Sequence, residues 1–121
     1  ANSMCRTDKM DAPVCLIDLA EVHSGHWVED AIYLERQLWG HHSRLESSNP
    51  LKTMAYARKS IGLKVADDYP ELANIRRLLL GATAPAFMQS EGDPRYLHAC
   101  LEQFQLAFGY ITELSMYDRR Y

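Results

Sequence analysis

The chain has 121 residues, of which 47% are hydrophobic and 24% charged. That is the balance of one globular domain, and it excludes a disordered body. A net charge of −3 offers no broad attraction to phosphate, which argues against nucleic acid as a partner. The longest apolar run, residues 78–88, is broken by Gly81 and Pro85 and falls short of the ~20 residues that span a bilayer, so no membrane segment is expected.

Residues 1–3 read as vector residues ahead of a start at Met4, and residues 4–11 as a flexible lead into a single helical domain over 4–121. This stretch lacks the apolar core of a signal peptide. Three cysteines, Cys5, Cys15 and Cys100, are an odd number without C-x-x-C spacing. They point to reduced thiols in a cytoplasmic protein, not to a disulfide framework or a zinc site. Cys15 and Cys100 have apolar neighbours and are expected to pack as small hydrophobes.

The first predicted helix covers 12–23 and is weakened by Ser24 and Gly25. From there Trp27, Ala31, Leu34, Leu38, His41 and Leu45 step alternately by four and three. This predicts one long helix over 26–47 with those six on one face. Asn49 and Pro50 signal the next start, because proline suits the first helical turn and asparagine caps its free amides. The helix that follows, 51–66, carries Leu51, Met54, Ala57, Ile61 and Val65. Asp68 and Pro70 open a short helix over 70–80, with Gly81 as its stop. Residues 82–92 read as a loop or a single turn, and Asp93 and Pro94 start a last helix to about 115, stepping through Leu97, Leu101, Phe104, Phe108 and Ile111. No segment shows strand alternation. The expected fold is all-α: a single-domain bundle of about four to five helices, walled by two long helices of roughly 30 Å each.

Four of the five histidines, His23, His26, His41 and His42, fall close together among Glu29, Asp30 and Glu35. A metal would need three or four ligands to converge. One helix cannot bring the two pairs together, and adjacent His41 and His42 point about 100° apart. The expectation is structural: His41 in the core stripe, His42 on the surface, and His23 near a helix end. No metal or cofactor is expected. The Gly-rich, nucleophile-elbow and paired-carboxylate patterns of enzymes are missing from the sequence, so no catalytic residue is assigned. Helices 51–66 and 70–80 have helix-turn-helix lengths, but Arg76 and Arg77 sit among leucines and near Asp67, Asp68 and Glu71, which disfavours DNA.

The last helix has more apolar surface than one stripe explains, since Cys100, Ala107 and Leu114 flank the Phe104 seam, and Leu106 and Tyr110 widen it. Such a helix is buried on more than one side: either the five-helix domain itself encloses it, or a homodimer or a partner protein supplies the second cover. Trp27 and Trp39 lie about 120° apart on their helix, so one stripe cannot hold both. Tyr33, Trp39, Phe108, Tyr110 and Leu114 are the candidates for a dimer or partner interface. In size, helical class and the segments "HWVEDAIYLERQLW" and "YLHACLEQFQLAFGYI", the chain resembles the bacterial antiactivators that disable LuxR-type quorum-sensing transcription factors. That resemblance implies a non-enzymatic cytoplasmic regulator, homodimeric, that blocks dimerisation of its target by occupying the interface. The alternative expectation is a small-ligand or metal-binding helical domain that uses the 23–42 histidines with His98.

Overall fold

Five helices and one small hairpin make up the computed structural model, which describes residues 2–5, 7–17, 22–87 and 94–118. In chain order they are β1 (Asn2–Cys5), β2 (Val14–Ile17), α1 (Trp27–Arg36), α2 (His42–Ser48), α3 (Pro50–Ser60), α4 (Tyr69–Phe87) and α5 (Pro94–Asp118). The architecture is mostly helical, as expected. The helix predicted over 12–23 is a correction where it is described, residues 18–21 lying outside the described residues. Val14–Ile17 is a strand, antiparallel to Asn2–Cys5 with Met4 opposite Cys15 and Cys5 opposite Val14. Four consecutive apolar residues fit a short strand as well as a helix turn, and Val and Ile favour the strand through their branched Cβ. Cys15 is exposed there, and of the three free thiols only Cys100 is buried.

The long helix expected over 26–47 is two helices. α1 stops at Arg36, and the chain turns through Gly40, whose φ of 85° is open to glycine at little cost. Asn49, at φ 32°, then serves two helices at once. It ends α2, and its side-chain oxygen accepts the Lys52 N–H at 3.1 Å to cap α3, with Pro50 in the first turn as anticipated. α3 closes at Ser60, six residues earlier than predicted. Gly62 (φ 77°) donates to the Lys59 carbonyl and Leu63 to that of Arg58, the paired bonds of a Schellman stop.

The α4 helix runs through the predicted stop at Gly81 to Phe87. Gly81 is buried, and a Cβ placed on it would stand 2.9 Å from the Cys100 carbonyl oxygen and 3.0 Å from the Cβ of Phe104. The missing side chain therefore lets the α4 and α5 backbones approach, forming an antiparallel hairpin. α1 crosses one side of this hairpin, where Arg36 donates to the Tyr96 hydroxyl at 2.6 Å. The core on that side is Val28, Ala31, Ile32, Trp39, Leu51, Ala73, Ala99 and Cys100. Three of these eight are alanine, so the core is thin and many larger apolar side chains are left outside it. No helix among the described residues is long and apolar enough to cross a membrane.

Candidate functional site

The histidines do not converge. His26 is the N-cap of α1: its Nδ1 accepts the Val28 N–H at 3.2 Å, while its own backbone N–H donates to Glu29 Oε1 at 3.4 Å. This reciprocal pair satisfies two of the amides that a helix start leaves open. His23 is exposed, with Nε2 3.5 Å from Glu29 Oε2. The His26 backbone N–H, then the His23 ring, hold the Glu29 carboxyl below its ordinary value against the opposing effect of burial, and the more distant Arg76 charge adds to them. His41 is exposed at the start of α2 and makes no side-chain cap bond, which corrects its expected place in the core. His42 opens α2, its side chain outside the described residues, and His98 is exposed on α5. Among the described residues no three His, Cys, Asp or Glu side chains are grouped to hold a metal ion.

The strongest polar feature lies elsewhere. Glu35, only 4% exposed, receives Arg77 Nε and Nη2 at 2.7 Å each and the Trp39 indole N–H at 3.3 Å. Arg77 Nη1 donates to Asn74 Oδ1 at 2.8 Å. This two-pronged pairing fixes α1 on α4, because a guanidinium fork fits a carboxylate in one plane. Arg76 reaches Glu29 at 3.8 Å. The two arginines of α4 are thus committed to carboxylates of α1.

Of the five interface candidates, Trp39 is corrected by its burial. At 3% exposure it belongs to the core, where the turn after α1 places it in one cluster with Ala99, Cys100 and the α1 residues Val28, Ala31 and Ile32. Tyr33, Phe108 and Tyr110 are exposed. They do not share one patch: Phe108 and Tyr110, two residues apart on α5, differ by about 200° around the helix. Leu114 lies in α5 with its side chain outside the described residues.

Helical spacing puts apolar side chains beside Phe108 on the side of the hairpin away from α1. Leu101 stands two residues, about 200°, from buried Ala99, and so points away from α1. It is 46% exposed and Phe108 is 52% exposed. Phe104, half-buried, stacks on Phe108 with ring centroids 6.2 Å apart and planes 9° from parallel. From α4 come Ile75 and Leu79, both exposed; Ile75 is likewise two residues from buried Ala73. Their i, i+4 spacing is the signal that could have found them in the sequence. The α4–α5 hairpin is therefore two-sided, with α1 on one side and an open apolar face on the other.

A depression lies between α1 and α3, a groove of about 550 Å³ lined by Leu34, Leu38, Pro50, Met54 and Ala57, with Gln37, Ser48 and Thr53 as its polar members. Comparison of the chain with protein-family models, curated proteins and solved structures finds no match.

Proposed function

We propose that this protein is a non-enzymatic regulator that acts by contact, assembling as a homodimer through the outer face of the α4–α5 hairpin. The observation that carries the reading is the exposure on the two hairpin helices: Leu101, Phe108, Ile75 and Leu79 are each about half exposed, while three of the eight core residues are alanine. Moving a large apolar side chain fully out of water is worth about 1.5–3 kcal/mol. Four such groups, each roughly half exposed, leave several kcal/mol to be gained when a second surface covers them. Two copies of a two-helix hairpin meeting face to face would complete a four-helix layer, the ordinary way for amphipathic helices to bury a stripe.

The functional target follows from the family likeness in the sequence: a LuxR-type transcription factor, in the cytoplasm, whose own dimerisation the regulator blocks by competing for an apolar surface. Such competition needs no catalytic residue, cofactor or metal. The test is gel filtration of the purified chain with the ligand-binding domain of a LuxR-type factor encoded in the same genome, followed by operator binding of that factor. A stable complex with loss of operator binding supports the reading. Unchanged elution and unchanged operator binding would remove the target, while the oligomeric state, measured on the chain alone, reports separately on the contact face.

A further inference from the structure

A cavity of about 220 Å³ opens on the α1 side of the hairpin, away from the proposed contact face, with Glu35 and Arg77 among its lining residues. Helices α1, α2, α4 and α5 meet there at the cap of α3. Its hydrogen-bonding capacity is lopsided. A guanidinium has five N–H groups, and Arg77 gives one from Nε and one from Nη2 to Glu35 and one from Nη1 to Asn74. One N–H on each Nη has no acceptor among the described residues. Asn74 and Asn49, which both line the cavity, spend their side-chain oxygens on Arg77 Nη1 and the Lys52 N–H. Each therefore keeps its NH₂ as a donor. The Glu35 carboxylate already receives three N–H groups. Gln103 and Tyr110 add both donor and acceptor atoms to the lining, and with two Arg77 N–H groups and the Asn49 and Asn74 NH₂ groups unspent, donors are the larger share of the free hydrogen-bonding capacity.

The ligand such a site takes is an acceptor with no donor of its own, and planar enough to bridge two guanidinium nitrogens. A carboxylate meets both conditions. Leu45 and Leu106 supply apolar wall, which suits a short hydrocarbon tail. At ~30 Å³ per water-sized group the space holds about seven such groups, which limits the ligand to a small molecule. We propose that this cavity binds a short aliphatic monocarboxylate, its carboxylate on the free Nη edge of Arg77 and its chain against Leu45 and Leu106. Because Glu35 already neutralises Arg77, the bound anion adds an uncompensated charge, and the affinity expected is in the millimolar range.

The experiment is thermal melting of the full chain in sodium butyrate, with butyramide and sodium chloride at matched concentration and ionic strength as controls. Two-dimensional NMR of the side-chain amides of Asn49 and Asn74 reports the site. Butyrate should raise the melting temperature saturably and shift both amides, and the two controls should not. Arg77→Lys keeps the charge but loses the fork. Since that variant disturbs a buried pair, Asn74→Asp is the second test: it keeps an acceptor for Arg77 while replacing the free donor with negative charge. Both variants should lose the butyrate response. An equal response to butyramide or chloride, a butyrate response that survives Asn74→Asp, or no response at hundreds of millimolar would overturn the proposal.

Discussion

Replacing Glu35 with alanine should be among the most damaging single changes in this fold. The Glu35 side chain is 5% exposed and that of Arg77 20%, so both charges are largely out of water. Removing one member of a buried pair typically costs about 3–5 kcal/mol, because the other charge is left without compensation. Arg77 borders a cavity and keeps some solvent contact, which lowers the expectation to about 2–4 kcal/mol. The Trp39 indole N–H also loses its acceptor, and an unpaired buried donor costs about 1–3 kcal/mol, keeping the total toward the upper part of that range. Against a stability of about 5–15 kcal/mol for a domain of this kind, the melting temperature should fall by roughly 10 °C or more. Chemical and thermal unfolding followed by circular dichroism measures this. The double variant Glu35→Met, Arg77→Met should recover the part of the loss that comes from the stranded Arg77 charge, since apolar residues of similar size often replace a buried pair at little cost, while the Trp39 N–H stays without its acceptor. A Glu35→Ala protein within about 0.5 kcal/mol of the parent, or a double variant no better than the single one, would show that the pair does not fix α1 on α4.

His26→Ala should cost about 1 kcal/mol through loss of the α1 cap, whereas His26→Asn, which can accept the same Val28 N–H, should cost much less; urea denaturation of the two variants separates them. Gly81→Ala should destabilise even though alanine is the better helix former, because its Cβ would lie 2.9 Å from the Cys100 carbonyl oxygen; a stability gain in thermal melts would refute the close-packing role. The Glu29 carboxyl is held below its ordinary value of 4.5 in the fold, so its contribution is fully present above that pH and fades as pH falls through the lowered value. Glu29→Gln should therefore flatten the acid side of the stability–pH profile and leave its slope at neutral pH unchanged.

The legible parts of this fold are those where the local chemistry admits one answer. Asn49 with Pro50 states a cap and a first turn, and α3 begins there; Pro94 likewise opens α5. Apolar residues stepping through Leu97, Leu101, Phe104 and Phe108 can only be a helix over that length. Val14–Ile17 is too short to show a period, and pairing with Asn2–Cys5 decided it. The stripe from Trp27 to Leu45 keeps helical phase across a break, because only Gly40 and the burial of Trp39 reveal that the chain turns. Gly81 has the same letter whether it stops a helix or admits a neighbouring one, and the distance to α5 settles which. For the sites the limit is sequence separation: Glu35 and Arg77 are 42 residues apart, and no local pattern announces them. Tyr33, Phe108 and Tyr110 were found by excess apolarity, which detects exposure but not which exposed residues share a face.

The contact face is tested most directly by light scattering of the purified chain across micromolar concentrations, for the parent and for Phe108→Asp. Phe108 is half exposed, so the substitution should leave the helical circular dichroism nearly unchanged, while the melting temperature falls and loses its dependence on protein concentration as the dimer is lost. The account predicts a dimer mass for the parent and a monomer mass for the variant. A parent that is monomeric throughout the range, or a Phe108→Asp protein that remains a dimer, would contradict it.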